Sequence, residues 1–291
     1  MSANNKSKQF VILGRQKLSG EYSVQGNKNA ALPLIAGALL TRSVVNLKNV
    51  PQIADVKNLL QLVESIGVET HWKDGTLSLD SRGLRVDELP AQLVEKLRGS
   101  ILLLGILAPQ IDYLQSALPG GCPIGQRSFD THWDVFRSAG FTVVENAGRV
   151  ELRHETNIET PTVYLKESSV TATENALILF SALGRGIIQN PAREPHVFAL
   201  VSFLRSLGCE IELHPLYYGI HRGVSQDHRK ITFTIPGDYL DAGTVAIAAA
   251  VTGGEVVLRG ISKDDFIPIR NIFGQFGLQF ERLGRDNLKV S

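Results

Sequence analysis

The sequence is poor in the features that mark secreted, metal-binding and nucleic-acid-binding proteins. Its 291 residues contain only two cysteines, Cys122 and Cys209, in unlike surroundings. Such a pair predicts neither a disulfide framework nor a cysteine metal site. Thirty basic and twenty-nine acidic residues give a formal charge of +1, so no overall field attracts nucleic acid. An anionic ligand would therefore have to be bound by locally placed Lys and Arg.

Long apolar runs are absent as well. No stretch approaches the roughly 18 unbroken apolar residues that a membrane-spanning helix needs. The first eight residues, MSANNKSK, are polar and lack the apolar core of a secretory signal. We therefore expect a soluble, cytoplasmic protein without a membrane partner. A hydrophobic content of 43% over this length is sufficient for two packed domains.

What the sequence does contain is a structural unit repeated four times. Four helical patterns each end at a glycine, namely Gly67, Gly140, Gly208 and Gly277, at intervals of 73, 68 and 69 residues. Glycine is favoured where a helix stops in the left-handed conformation. A strand-like pattern follows each of them and is clearest as a hairpin over residues 68–79. Regular spacing of this kind indicates internal repetition.

A second helix, apolar on nearly all faces, precedes the glycine-stopped helix of each unit. These helices are predicted at residues 29–40, 96–107, 172–183 and 241–251. A helix without a polar face is usually buried, so we expect them in domain interiors, with the glycine-stopped helices nearer solvent. The fold class is therefore α/β, built from helix-strand-helix-strand-strand units.

The domain organisation follows from the number of units. Three units over residues 27–236 predict one complete domain. The fourth unit, at 237–291, and the segment 1–26 predict a partial second domain. Within that segment, residues 9–13 and 21–24 alternate like a small strand pair.

The loop from Leu118 to His132 carries the most reactive chemistry. Its three glycines and two prolines prevent regular structure and let a ligand approach backbone amides. Arg127, together with a helix beginning near Asp130, would favour the thiolate of Cys122 and make it nucleophilic or proton-exchanging. The alternative is an inert, half-buried cysteine. Cys209 fits a core position.

Three motifs give the sequence a family resemblance. They are G-x-K-N-A-A-L at residues 26–32, P-G-G-C-x-I-G-x-R at 119–127, and Asn190 to Pro195. With the repeats, they make the chain similar to the enolpyruvyl transferases from about Leu18 onward. The resemblance is strongest to members that act on UDP-N-acetylglucosamine. It implies pseudo-threefold domains, described as inside-out α/β barrels, with the active site between two of them.

The resemblance also implies an activity. Such enzymes move the enolpyruvyl group of phosphoenolpyruvate to the 3-hydroxyl of UDP-N-acetylglucosamine and release phosphate, the first committed step of peptidoglycan synthesis. The partners are then these two small molecules, and no metal or other cofactor is needed. Cys122 matches the general acid or covalent adduct former. Lys28, Arg98 and Arg127 match the residues that face phosphoenolpyruvate, which suits guanidinium donors.

The sugar-nucleotide site and two further acids are carried over in the same way. The residues that match sugar-nucleotide contacts are Asn29, Arg98, Arg127, Ser128, Phe129, Asp130, Thr131, Lys166, Ser168, Ser169 and Val170. Glu194 and Asp238 match acids of the cleft, although either could be a helix cap or an interdomain ion pair. Lys28 could simply be an exposed lysine, but helix N-termini attract anions.

Several positions depart from the family pattern. Gln126, Ser128 and Thr171 replace the usual residues, which leaves open a different nucleotide acceptor. His196 stands where an acid is usual. The histidines of residues 214–230 match no metal-ligand spacing and indicate a solvated loop.

Length is the largest departure. The resemblance implies three units in each of two domains, and the sequence has four units. Two units, and the general base that they carry in the family, therefore have no match in this sequence. We expect an apolar patch on the partial domain. A C-terminal fragment or self-association would cover it, or nothing would if the chain is a truncated gene product. A non-catalytic sugar-nucleotide-binding module is the remaining alternative.

Overall fold

The computed structural model describes residues 11–85, 88–121, 125, 128–225, 230–262 and 264–291. The chain forms two compact units, Gln25–Pro236 and a smaller one made of Met1–Val24 with Gly237–Ser291. The predicted α/β class is confirmed, since each unit combines β-sheets with helices. Among the described residues, no helix combines the length and apolar character needed to cross a bilayer.

The α-helices, in chain order, are α1 (Lys28–Ala38), α2 (Ala54–Ser65), α3 (Ala91–Val94), α4 (Ile101–Leu107), α5 (Asp130–Ser138), α6 (Val170–Leu183), α7 (Pro195–Ser206), α8 (Tyr239–Val251) and α9 (Ile267–Gly274). The β-strands are β1 (Ser19–Ser23), β2 (Val44–Lys48), β3 (Glu69–Lys73), β4 (Thr76–Asp80), β5 (Tyr113–Ala117), β6 (Phe141–Asn146), β7 (Arg149–His154), β8 (Thr162–Tyr164), β9 (Gly186–Gln189), β10 (Glu210–Leu213), β11 (Tyr217–Arg222), β12 (Ile231–Thr234), β13 (Glu255–Arg259), β14 (Phe280–Arg282) and β15 (Asn287–Val290).

The larger unit places three sheets around three central helices. Helices α1, α4 and α6 pack against one another, and the sheets have the orders β12-β2-β4-β3, β5-β7-β6 and β10-β11-β9-β8. All seven residues of α4 are buried, as are ten consecutive residues of α6. Apolar residues cover nearly all faces of these helices, so burial in the interior removes most of that apolar surface from water.

The last strand of the larger unit completes the sheet of its first repeat. Strand β12 pairs in parallel with β2, so that Ile231 lies opposite Val45 and Thr234 opposite Lys48. In the third repeat the equivalent parallel pair, β8 with β9, is formed by neighbouring segments of the chain. The chain therefore closes its ring of repeats at β12 before it leaves the unit at Pro236.

The glycines that punctuate the repeats all have left-handed backbones, as predicted. Gly67, Gly140, Gly208 and Gly277 have φ angles of 89°, 89°, 95° and 92°. Each directly follows a helix and its last turn. A side chain would be unfavourable there because L-residues avoid this region.

One predicted helix boundary was wrong. The apolar helix expected at 96–107 begins only at Ile101, and Arg98–Ser100 forms a 3-10 turn before it. Leu97 is extended, and the hydroxyl of Ser100 donates to the carbonyls of Leu97 (2.6 Å) and Val94 (3.1 Å). This competition between side chain and helix for backbone groups explains the late start.

The smaller unit contains the sheet β1-β13-β15-β14 with α8 and α9. Its core includes Ala242, Ala246, Leu258 and Phe266. The predicted pairing of residues 9–13 with 21–24 was wrong where it can be followed. Residues 11–13 are exposed and irregular, and β1 instead pairs in parallel with β13, Tyr22 opposite Leu258. The alternate side chains Val256 and Leu258 of β13 are buried in the core. Pairing with β13 therefore adds β1 to a sheet that is packed on one face. Residues 9 and 10 lie outside the described residues.

Candidate functional site

Arg98 lies at the centre of the candidate site in the larger unit. Its Nη2 donates to the carbonyl of Ser128 over 3.0 Å, and its guanidinium lies 4.1 Å from the centroid of the Phe129 ring. On the other side of the loop, a Cβ on Gly121 would lie 3.1 Å from the Arg98 backbone nitrogen. Arg98 therefore contacts the chain both before and after the cysteine motif.

Cys122, Gln126 and Arg127 lie outside the described residues, so their predicted roles stay predictions. Their neighbours Gly121 and Ser128 are both held beside Arg98. The described residues on either side of segment 122–127 therefore both lie beside Arg98, Gly121 at its backbone and Ser128 at its guanidinium.

The residues after the loop begin helix α5. The hydroxyl of Ser128 donates to Asp130 Oδ2 over 2.6 Å and accepts from the Asp130 backbone nitrogen over 2.9 Å. Ser128 and Asp130 are exposed, while Phe129 and Thr131 are half-buried. Ser128, two residues before the start of α5, is thus hydrogen-bonded to the first residue of the helix. These four predicted nucleotide contacts thus form one continuous surface strip.

His132, one residue further along α5, joins this strip to helix α6. Only 2% of it is exposed, its Nε2 lies 3.3 Å from Thr171 Oγ1, and its Nδ1 lies 3.4 Å from Asn175 Nδ2. Burial, with a smaller contribution from the charge of Arg98, lowers its pKa to about 3. The imidazole is therefore neutral at physiological pH. It lies between the element that carries the loop and the start of α6.

The start of α6 carries the second group of predicted nucleotide contacts. Ser169 caps the helix, its hydroxyl accepting from the Ala172 nitrogen over 3.4 Å. Lys166 forms a 2.9 Å ion pair with Asp134 of α5, which raises the pKa of the lysine. Ser168 is exposed and Val170 half-buried. A helix N-terminus beside an exposed lysine is a common setting for a phosphate group.

The start of α1 adds the remaining predicted contacts. Lys28 is partly exposed and pairs with Asp55 of α2, and Asn29 is exposed. Leu32 lies one turn after Lys28 on the same face of α1, and a Cβ on Gly99 would come within 3.1 Å of its Cδ1. The N-terminal turn of α1 is therefore next to the turn that carries Arg98.

The two predicted cleft acids occupy different environments. Asp238, in the smaller unit, caps α8 by accepting from the nitrogens of Leu240 (2.9 Å) and Asp241 (3.3 Å). The alternative role as a helix cap therefore holds for Asp238. Glu194 precedes α7 without capping it, and its Oε2 is buried without a hydrogen-bond partner among the described residues.

Sequence reasoning missed the polar residues buried inside α6. Glu174 is 2% exposed, and its Oε1 has no partner in the described part of the chain. Burial, and secondarily the charge of Glu194, raises the pKa of the Glu174 carboxyl well above its usual range. The signal available in the sequence was the run Thr173, Glu174, Asn175 inside an otherwise apolar helix.

The described histidines of the 214–230 segment have protein partners. The ring of His214 stacks on Tyr217 at 4.5 Å between centroids, and His221 Nε2 lies 3.2 Å from Glu212 Oε2. His228 lies outside the described residues. Within the described residues, no group of three or more His, Cys, Asp or Glu could hold a metal ion.

Comparison with known proteins defines the family. The model of the EPSP synthase (3-phosphoshikimate 1-carboxyvinyltransferase) family matches residues 12–287. The chain therefore belongs to this family of enolpyruvyl transferases, as its motifs predicted.

Among its relatives, the UDP-N-acetylglucosamine 1-carboxyvinyltransferase 2 of Carboxydothermus hydrogenoformans is 35% identical over 261 residues, which is 89% of this chain and 62% of that protein. The UDP-N-acetylglucosamine 1-carboxyvinyltransferase of Campylobacter fetus subsp. fetus is 32% identical over 96% of this chain and 67% of that protein. The chain thus spans roughly two thirds of the length of these relatives. The crystal structure of the enolpyruvyl transferase NikO from Streptomyces tendae matches with a TM-score of 0.79 and 24% identity, over 94% of this chain and 66% of that one. This likeness supports the fold.

Proposed function

We propose that the chain belongs to a transferase that moves the enolpyruvyl group of phosphoenolpyruvate to the 3-hydroxyl of UDP-N-acetylglucosamine. The observation that carries the proposal is the position of Arg98, which contacts both flanks of the cysteine loop through Gly121 and Ser128. It also lies close enough to His132 to affect the pKa of that imidazole. The names of the relatives, at 32% and 35% identity, support the same substrates.

The site suits the charges of both substrates. Phosphoenolpyruvate has a carboxylate and a phosphate, and Lys28, Arg98 and Arg127 would supply the opposing cations. The diphosphate of the sugar nucleotide would bind at the N-terminus of α6 near Lys166, where backbone N–H groups point outward. The strip from Ser128 to Thr131 would then face the nucleoside.

The reaction requires a proton to reach the methylene carbon of phosphoenolpyruvate. The oxygen of the 3-hydroxyl forms a bond to C2 and gives up its proton to a base, while the methylene carbon takes a proton from an acid. Loss of a proton from the same carbon then restores the double bond as phosphate leaves. We assign the acid to Cys122, because a thiol beside cations can exchange a proton near neutral pH.

His132 would act on this reaction as a positioning residue. It is buried and connects α5 to α6 through Thr171 and Asn175. A neutral imidazole at this junction would fix the strip from Ser128 to Thr131 relative to the N-terminus of α6. It would do so without adding a positive charge that could attract the substrate anions away from the cations of the site.

The wider setting is proposed on the same basis. We place the reaction in the cytoplasm, with both substrates as small-molecule partners. A C-terminal fragment or a second copy of the chain would complete the smaller unit.

The test is an acceptor panel with the full chain. Phosphate release from phosphoenolpyruvate is measured with UDP-N-acetylglucosamine, UDP-N-acetylgalactosamine, UDP-glucose and UDP alone, while calorimetry measures binding of each. We expect release with UDP-N-acetylglucosamine to exceed that with UDP-glucose by at least about tenfold. Tight binding without any release would instead identify a non-catalytic binding module.

A second acceptor class is favoured by two described positions. Ser128 and Thr171 replace the usual residues in the nucleotide wall, and the hydroxyl of Thr171 lies 3.3 Å from His132. If these changes alter the nucleoside contact, another nucleotide in an extended panel would give the faster phosphate release. That result would preserve the reaction and overturn the assigned acceptor.

A further inference from the structure

A cavity of about 810 Å³ lies in the larger unit, where the central helices end. Its wall includes Leu40 after α1, Ile106 near the end of α4 and Ser181 near the end of α6. The candidate site described above is at the N-terminal ends of the same helices. Since α6 has 14 residues and each adds about 1.5 Å, the two places are roughly 20 Å apart.

The wall of this cavity carries positive charge and no carboxylate among the described residues that line it. The charged residues among the described residues of the wall are Arg42 and Arg222. Arg42 donates to the carbonyl of Leu84 and to the amide oxygen of Gln110, both neutral acceptors. Arg222 forms an exposed ion pair with Glu210 over 2.9 Å, and its Nε donates to the carbonyl of Gly208 over 3.4 Å. Each guanidinium has five N–H donors, so both keep donors for a ligand.

Ser181 lies in the wall as a buried residue and is only 1% exposed. A hydrogen bond between its side chain and the Cys209 thiol lowers the pKa of that thiol, against the larger raising effect of burial. The groups of the wall that can bind an anion are therefore Arg42 and Arg222.

The C-terminal ends of α4 and α6 carry partial negative charge, which disfavours an anion. This effect is reduced where the terminal carbonyls already accept hydrogen bonds. The carbonyl of Ile106 accepts from Gln110 Nε2 over 2.7 Å, and that of Ser181 accepts from the Val224 nitrogen over 3.4 Å. The partial charge of a helix end contributes only about 0.3–1 kcal/mol within its last turn. Direct hydrogen bonds from a guanidinium to an anion are stronger than that.

We propose that this cavity binds a small organic anion, with a carboxylate or phosphate on Arg42 and Arg222 and an apolar body against Leu40, Ile106 and Pro109. The volume lies within the range usual for small-molecule sites. The inference does not rest on the proposed function, because it uses none of the residues assigned to catalysis.

The test uses 1-naphthyl phosphate as the probe and the full chain labelled with ¹⁵N, in the presence of UDP-N-acetylglucosamine. We expect amide shifts at Ser181 to Gly184 and at Gly223 to Ser225, saturating with about millimolar affinity or better. The neutral analogue 1-naphthol should bind at least about tenfold more weakly, since it lacks the charge-assisted hydrogen bonds.

Variants locate the site. Arg42→Gln and Arg222→Gln should each weaken binding of the probe at least about tenfold, whereas the exposed Arg149→Gln, on β7, should leave it unchanged. Ala182→Trp, which fills the wall while keeping both arginines, should abolish the shifts even if Arg42→Gln fails to fold. Equal affinity in the arginine variants and the parent, or shifts confined to residues near Lys28 and Arg98, would overturn the proposal.

Discussion

His132 shows how burial fixes the charge state of a single side chain. Its pKa of about 3 lies below the usual value of 6.5 because the imidazole is enclosed by α5 and α6, with the charge of Arg98 adding to the effect. Between these two pH values the unfolded chain binds a proton that the folded chain does not. Stability attributable to His132 is therefore complete above about pH 6.5 and falls as the pH drops toward 3.

The first prediction concerns this pH dependence. Between pH 7.5 and pH 5, His132 should reduce the free energy of unfolding by about 2 kcal/mol, from the difference between the two pKa values. His132→Gln cannot titrate, so its stability should lack this component over the same interval. Urea unfolding of both proteins at the two pH values measures the difference. Parallel losses in parent and variant would show that His132 is not buried in its neutral form.

The pH dependence of stability that arises from Glu174 has the opposite sign to that from His132. Burial, followed by the charge of Glu194, raises the pKa of this carboxyl, so the folded chain keeps a proton that the unfolded chain releases. The stability it contributes is present below its ordinary pKa and is lost as the pH rises through the raised one. Glu174→Gln mimics the protonated acid, and we predict that it stabilises the protein more at pH 8 than at pH 5. The exposed Glu167→Gln is the control, and denaturant midpoints give the comparison.

The two cysteines should differ in reactivity. Burial raises the pKa of the Cys209 thiol to about 11 despite opposing effects of Ser181 and Arg222, so very little thiolate exists at pH 8. We predict that an epoxide analogue of phosphoenolpyruvate alkylates Cys122 in preference to Cys209 when UDP-N-acetylglucosamine is present. Peptide mass spectrometry reads out the site. Equal labelling of both thiols would remove the argument for a tuned Cys122.

At the scale of single elements, the glycines that end the helices serve two purposes. Gly140 has a φ of 89°, and a Cβ there would lie 1.9 Å from the carbonyl oxygen of Thr156. Thr156 cannot easily retreat, because its nitrogen donates to the Gly140 carbonyl over 3.3 Å. Gly148, in the turn between β6 and β7, has a φ of 77° with open space around it.

This pair gives a matched prediction. Gly148→Ala should cost about 1–2 kcal/mol, from the left-handed backbone alone. Gly140→Ala should cost at least about 3 kcal/mol, because strain and a backbone clash add to that term. Thermal and urea unfolding measure both. Equal costs would mean that close packing after α5 does not constrain the repeat.

The elements themselves could largely be predicted, because their signals are local. The apolar helices α1 and α6 and the glycine stops at 67 and 140 are encoded in periodicity and in one residue type. The partner of β1 could not be predicted, since β13 lies more than 200 residues away in sequence. The late start of α4 depends on hydrogen bonds from the hydroxyl of Ser100 to two carbonyls. No sequence pattern predicts these hydrogen bonds.

Some residues of the candidate site could likewise be predicted from the sequence, and others could not. Lys28 follows from a motif and Arg98 and Ser169 from the family resemblance, and the structure places them on neighbouring elements of the larger unit. His132, Glu174 and Asn175 were missed as functional candidates because their importance comes from what packs around them. A buried imidazole between two helices is a property of tertiary contact, not of spacing along the chain.

For the whole molecule, the two units differ in how completely they bury their central helix. Nine consecutive residues of α1 are buried, whereas in α8 only Ala242, Gly243, Ala246 and Ala249 are. Leu240 and Ile247 are exposed, and Val251 is 78% exposed. An apolar patch on this part of the chain was predicted from the repeat count, and α8 has one. Its cover, by a C-terminal fragment or by self-association, stays a prediction.

The measurement that tests the account most directly is product formation by the full chain and its Arg98→Gln variant. Phosphoenolpyruvate and UDP-N-acetylglucosamine are incubated with each protein, and enolpyruvyl-UDP-N-acetylglucosamine is quantified by mass spectrometry. We predict that the parent forms it, that Arg98→Gln lowers the rate by at least about 100-fold, and that the exposed Arg149→Gln does not. No product from a folded parent that binds the sugar nucleotide, or an undiminished rate in Arg98→Gln, would contradict the account.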